Sequence, residues 1–179
     1  HGKLAITWLG HSAFSLKTPG GRTVLFDPWY TGNPSFPAGR EPKAADLVLV
    51  SHGHSDHTTD AAAVAKATGA TGVTALEPMN KGGTIEVRGL RITMTDARHS
   101  SSVDDLTYLG EPAGFVVRLE NGQTIYYAGD TALFGDMKMI GEVYRPEIAF
   151  LPIGDHYTMG PETAAVAARE PAQDHEVLA

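Results

Sequence analysis

Apolar and polar positions cut the chain into short strands with polar breaks at their ends. Lys3 to Leu9 alternates and predicts a strand. Gly10-His11-Ser12 interrupts it, and Ala13 to Leu16 predicts a second strand. Pro19-Gly20-Gly21 is a turn signal, and Thr23 to Phe26 predicts a third strand, so the three should form an antiparallel meander. Thr31 to Pro42 carries Gly32, Pro34, Pro37, Gly39 and Pro42, a density of breakers that leaves a loop. Leu47 to Val50 is an unbroken apolar run and predicts a strand buried on both faces. Ala61 to Ala67 predicts a helix stopped by Gly69, with Thr58 or Thr59 as its cap and Asp60 suited to its positive first turn.

The second half continues in the same manner. Gly72 to Leu76 predicts a strand, and Met79-Asn80-Lys81-Gly82-Gly83 a turn. Thr84 to Val87 and Leu90 to Thr95 predict a hairpin across Arg88-Gly89. Ser100 to Pro112 is a polar loop. Ala113 to Leu119 and Gln123 to Ala128 predict a second hairpin about Glu120-Asn121-Gly122. A short helix or turn is expected over Leu133 to Glu142 and a buried strand over Ile148 to Ile153. A last helix opens with Pro161 in its first turn and runs to Arg169.

Chemistry concentrates where the run Leu47 to Val50 ends. Ser51-His52-Gly53-His54-Ser55-Asp56-His57 places three imidazoles and one carboxylate within six positions, spaced H-x-H-x-D-H. A strand followed by a tight loop lets His52 and His54 point one way while Asp56 and His57 turn to a neighbouring point. Gly53 offers no side chain to block an ion. Imidazole and carboxylate together suit zinc, and also manganese or iron.

Composition narrows the choices. The chain has 179 residues and a net charge of −7, which argues against tight binding to long nucleic acids. It has no cysteine, so a metal site must rest on histidines and carboxylates, and a cytoplasmic location is expected. No apolar run is long enough to cross a membrane, and no signal-peptide pattern opens the sequence. His1 is left out of any site.

The H-x-H-x-D-H spacing resembles the signature of the metallo-β-lactamase superfamily. Gly10-His11-Ser12, Phe26-Asp27-Pro28, Arg98-His99-Ser100, Gly129-Asp130-Thr131 and the run Leu151 to Pro161 resemble one branch of it. That branch is the metal-dependent hydrolases akin to ascorbate-6-phosphate lactonase. The resemblance implies an α/β fold, an αββα sandwich of two mixed β-sheets flanked by helices. It implies that His52, His54 and His99 hold one metal ion. Asp56, His57 and Asp130 would hold another, with Asp130 shared between the two. Two Zn²⁺ are expected in the intact family site, with Mn²⁺ or Fe as other choices. His11 and Asp27 should support the ligands or line the pocket. Asp56 and His156 are the candidates for moving protons.

The family pattern is interrupted twice. A helix is expected between Leu76 and Met79, and a strand ending in a P-x-H ligand is expected near Ala168 to Pro171; neither is in the sequence. The chain therefore reads as a single hydrolase domain over residues 1–179 that lacks segments near 76–79 and 168–171. The second metal is expected to be weakly held. Asp174-His175-Glu176 reads as a solvated terminus, so His175 is no replacement ligand.

The function expected is metal-dependent hydrolysis of a small ester, lactone, lactam or phosphoester by a metal-activated water. A phosphodiesterase or nuclease of the same fold is the second reading, and a metal-binding domain without catalysis the third. The partner expected is a small molecule, without membrane or nucleic acid, and the oligomeric state stays open, a homo-oligomer included.

Overall fold

The structure is a computed structural model and describes residues 2–73, 79–103, 107–169 and 176–178. The chain divides into two compact units. One comprises His1–Met79 with Ser101–Gly110, the other Asn80–Ser100 with Glu111–Ala179.

The first unit is built on a five-stranded mixed sheet. Strands β1 (Ala5–Trp8), β2 (Phe14–Lys17) and β3 (Thr23–Phe26) form the antiparallel meander, and β4 (Leu47–Leu49) and β5 (Thr71–Val73) continue it in parallel. The two parallel strands need a crossover, and the sequence provides α1 (Ser55–Thr58) and α2 (Ala61–Thr68) between them. Ala61 and Ala65 let α2 lie close to the sheet, against Leu25, Val48 and Ala70. Leu47, Val48 and Leu49 are all buried, which explains why the run does not alternate. Gly69 ends α2 in the left-handed region at φ 67°, as expected of a helix-stopping glycine.

The cap of α2 differs from expectation. Thr58 and Thr59 do not cap it. Their hydroxyls donate back to the carbonyls of His54 and Ser55, within the preceding turn. Asp60 holds the cap position, yet its carboxylate makes no capping bond. It accepts instead from the backbone N–H of Tyr30 (2.6 Å) and of Thr31 (2.8 Å) and from the Thr31 hydroxyl (2.8 Å), fastening the loop that follows β3.

The second unit carries a six-stranded mixed sheet. Strands β6 (Thr84–Val87), β7 (Leu90–Asp96), β8 (Ala113–Arg118) and β9 (Thr124–Tyr127) are antiparallel, and β10 (Ile148–Phe150) and β11 (Glu176–Leu178) add in parallel. The β6–β7 hairpin turns on Arg88 (φ 51°) and Gly89 (φ 83°), the paired left-handed residues of a two-residue loop. Helices α3 (Asp136–Tyr144) and α4 (Pro161–Arg169) bury Met137, Ile140, Ala164 and Ala167 against Val116, Tyr126 and Ala149 of the sheet.

Two expectations change here. The strand foreseen over Ile148 to Ile153 stops at Phe150, because Leu151 onward turns away into the Gly154–Thr158 loop. Glu176 opens a short strand, which the sequence did not foresee. In β11 it stands in register with Ile148 of the parallel neighbour. The expected junctions at 76–78 and 170–171, and His175, lie outside the described residues. Among the described residues no helix is long and apolar enough to cross a membrane.

Candidate metal centre

In the first unit the site is assembled at the ends of β3 and β4. Their ladder continues one step beyond the strands, with the Asp27 N–H donating to Leu49 O at 2.9 Å. This brings the carboxylate of Asp27 under the loop that begins at Ser51. Asp27 and His57 are both 0% exposed. The Asp27 carboxylate accepts from Ser51 N (2.7 Å), from the Ser51 hydroxyl (2.5 Å) and from His57 Nδ1 (2.7 Å).

These bonds set the protonation of two rings. His57 carries its proton on Nδ1, facing Asp27, and so presents a lone pair at Nε2. The Ser51 hydroxyl spends its proton on Asp27 and accepts from His52 Nδ1 at 3.0 Å, so His52 also presents its lone pair at Nε2. His52 Nε2 lies 2.9 Å from His54 Nδ1. Three of the histidines foreseen as ligands therefore stand together, with the rings of His52 and His57 4.1 Å apart.

Asp56 lies beside them, one turn into α1. Its Oδ2 is 3.1 Å from His11 Nε2 and 4.0 Å from His57 Nε2. The hydrogen bond from His11 holds the Asp56 carboxyl well below the usual carboxylate range. Partial burial opposes this, and the charges of His57 and His11 assist it. His11, Asp56 and His57 place one ligand atom each within 4.8 Å of one another, and so do Asp27, His52 and His57.

Gly53 has a use that the sequence did not reveal. A Cβ there would stand 2.6 Å from Leu109 Cβ and 2.9 Å from Leu109 Cδ1. Its N–H donates to the Ser101 hydroxyl at 2.9 Å. Glycine is needed at this point so that Leu109 and Ser101 can lie against the histidine loop.

In the second unit His99 and Asp130 come together, with His99 Nε2 3.6 Å from Asp130 Oδ2 and both side chains largely buried. Thr131 locks their two loops. Its hydroxyl accepts from Arg98 N (2.9 Å) and donates to Ala132 O (2.7 Å), while Ala132 N donates to Arg98 O (3.0 Å). Its carbonyl accepts from Met159 N at 3.1 Å, tethering the following loop. Asp96, at the end of β7, pairs with Lys81 and, at 3.1 Å, with Arg98. Burial raises the Asp96 carboxyl, but the Lys81 hydrogen bond and charge, with help from Ala97 N and Arg98, bring it below the ordinary value.

His156 is placed differently. Asp155 and His156 both adopt left-handed backbone, at φ 58° and 46°. The His156 ring is exposed and packs edge-on against Tyr157 at 4.2 Å. Among the described residues no hydrogen bond or ion pair joins it to His99 or Asp130.

Comparison with known proteins fits this donor set. The sequence profile of the beta-lactamase superfamily domain matches residues 5–171. The chain belongs to the beta-lactamase superfamily, in its group of metal-dependent hydrolases. A metal-dependent hydrolase of Rubrobacter xylanophilus is 47% identical over 187 residues, covering 94% of this chain and 77% of that protein. Another, of Herpetosiphon aurantiacus, is 44% identical over 185 residues, covering 92% of this chain and 77% of its own length. Both aligned spans exceed the 179 residues of this chain, so these relatives carry residues inside the matched region that have no counterpart here. Among solved structures, a novel metallo hydrolase of the hyperthermophilic archaeon Ignicoccus hospitalis superposes with a TM-score of 0.81 at 35% identity, over 94% of this chain and 78% of that one. The metallo-β-lactamase fold expected from the sequence, with two mixed sheets and their helices, is the fold this chain has.

Proposed function

We propose that the protein hydrolyses a small ester, lactone, lactam or phosphoester at a zinc site, with manganese or iron as the other metals the donor set accommodates. The observation that carries this is the buried hydrogen bond from His57 Nδ1 to Asp27, which leaves the ring's lone pair on the side of Asp56. A histidine whose far nitrogen is held by a carboxylate is the usual form of a metal-binding histidine. His52, His54, Asp56 and His57 are the proposed ligands from the first unit, and His99 and Asp130 those from the second.

A bound divalent ion supplies Lewis-acid activation of water, giving a nucleophile near neutral pH. The chain's own residues set where this happens. Asp27, through Ser51 and directly, fixes which nitrogens of His52 and His57 face the site. Asp56 is held ionised by His11, so at neutral pH it retains a proton poorly. It serves better as a ligand than as a general base. His156, on an exposed loop tied to Thr131 through Met159, remains the candidate for carrying the proton away.

The acidic net charge counts against a long nucleic acid as the substrate and leaves a small molecule as the proposed one. The absence of cysteine supports a cytoplasmic location. The longer aligned spans of the relatives support lacking segments somewhere within the matched region; their place, near 76–79 and 168–171, rests on the sequence pattern alone.

The test is a panel of a lactone, a carboxylic ester, a β-lactam and a phosphodiester, offered to protein stripped by a chelator and then reloaded with zinc. Turnover of at least one, lost on stripping and absent in His52→Ala, is expected. Metal uptake with no turnover of any of them would make this a metal-binding domain without catalysis.

A further inference from the structure

We infer that His11 is itself a metal ligand, completing with Asp56 and His57 a three-donor site that takes a divalent cation of the zinc or cobalt kind. This rests on the metal-dependent reading above and goes beyond it, since His11 was expected only to support ligands or line the pocket.

The geometry is the first ground. Ligand atoms bound about 2.1 Å from a common tetrahedral ion stand roughly 3.4 Å apart. His11 Nε2 is 3.1 Å from Asp56 Oδ2, and His57 Nε2 is 4.0 Å from that same oxygen. All three donor atoms fall within 4.8 Å of one another. The donors are two imidazoles and a carboxylate, the set found at open zinc sites. His11 and Asp56 are partly exposed while His57 is fully buried, so the site is closed behind and open in front. An open front leaves room for water or substrate to take the fourth position.

The second ground is how His11 is held. Its backbone is left-handed at φ 52°, a conformation that a histidine adopts at a cost. Gly10 precedes it at φ 93°, and a Cβ on Gly10 would meet Ser35 backbone at 2.7 Å. Asn33, itself buried, donates its amide to Gly10 O at 3.2 Å and to Trp29 O at 3.0 Å. The Trp8 indole donates to His11 O at 2.7 Å. The Trp29 ring stands edge-on to the imidazole at 5.2 Å. A ring so braced is aimed at Asp56 before any ligand arrives, and two loops are committed to keeping it there.

The third ground is the sequence itself. The P-x-H ligand expected near 168–171 is not in this chain, and His11 offers a ligand atom beside Asp56 and His57 in its stead.

A plain hydrogen bond between His11 and Asp56 is the competing account, and two variants separate them. His11→Gln keeps an N–H that can reach Asp56 but is a poor metal ligand. His11→Asn tolerates the left-handed backbone and loses the reach. Full-length chain and both variants are stripped with a chelator and titrated with cobalt(II), reading affinity and the visible absorption that reports coordination number. Circular dichroism of the metal-free forms checks that each variant is folded. In both variants a drop of about ten- to a hundredfold in affinity, with a changed cobalt spectrum, is expected. Wild-type affinity and spectrum in folded His11→Gln would overturn the assignment and leave the hydrolase reading standing. No cobalt uptake by the wild-type chain would overturn both.

Discussion

The carboxylate of Asp27 accepts the Nδ1 proton of His57 at 2.7 Å, with neither side chain exposed. One buried group thus decides which nitrogen of His57 faces the site, and through Ser51 it decides the same for His52. Asp27→Asn replaces one acceptor oxygen by an amide N–H, so a donor must face Ser51 or His57. Zinc affinity, measured by competition with a chromophoric chelator, should fall by about 10- to 100-fold. Unchanged affinity would mean that the rings are oriented by other contacts.

Gly53 is tied to Leu109 by a near approach. Gly53→Ala should destabilise the protein by about 1–3 kcal/mol in a denaturant titration, since the nearest obstacle is Leu109 Cβ and not a mobile side-chain tip. Leu109→Gly in the same chain should recover more of that loss than Leu109→Ala, which removes Cγ and Cδ1 but keeps the Cβ. Equal recovery by both would place the obstruction elsewhere.

Thr131 holds the His99 loop with one hydroxyl that both accepts and donates. Thr131→Val preserves shape and removes both bonds, leaving Arg98 N and Ala132 O without that partner. A loss of about 1–3 kcal/mol in unfolding free energy is expected. Thr131→Ser, which keeps the hydroxyl, should lose less. A valine variant as stable as the wild type would mean that the hydroxyl bonds contribute nothing net.

Acid should weaken the protein through Asp60 and Asp96. Burial raises each carboxyl, and hydrogen bonds from Tyr30 and Thr31 in one case, and the Lys81 contact in the other, bring the net below the ordinary value of 3.8. A carboxyl depressed in the folded state binds protons more weakly there than in the unfolded chain. Its contribution is therefore complete above pH of about 4 and is lost as pH falls below it. Asp60→Asn should flatten the acid limb of the stability curve measured by thermal melts between pH 2 and 6. An unchanged acid limb would assign the effect to other groups.

Much of this was legible in the chain, for reasons that differ by element. The meander, both hairpins and the histidine loop rest on local signals: apolar runs, Gly-bearing turns and a six-residue motif. What failed was set by partners distant in sequence. Asp60 looked like a helix acid because it precedes Ala61, and nothing nearby announces that Tyr30 and Thr31 claim it. The close approach of Gly53 to Leu109 was missed because Leu109 is far along the chain. Glu176 looked like a frayed end because its neighbour in β10 is not visible from composition. His11 was placed near the site by family likeness alone. Its approach to Asp56 depends on a left-handed turn whose one local signal is the preceding glycine.

The central claim is that this donor set exists to hold a catalytic metal. The most direct measurement is metal content per chain by elemental analysis, on protein purified without added metal and again after His52→Ala substitution. The account predicts bound zinc, manganese or iron in the wild type and a clear loss in the variant. A wild-type chain that carries no metal and takes up none on titration would contradict it.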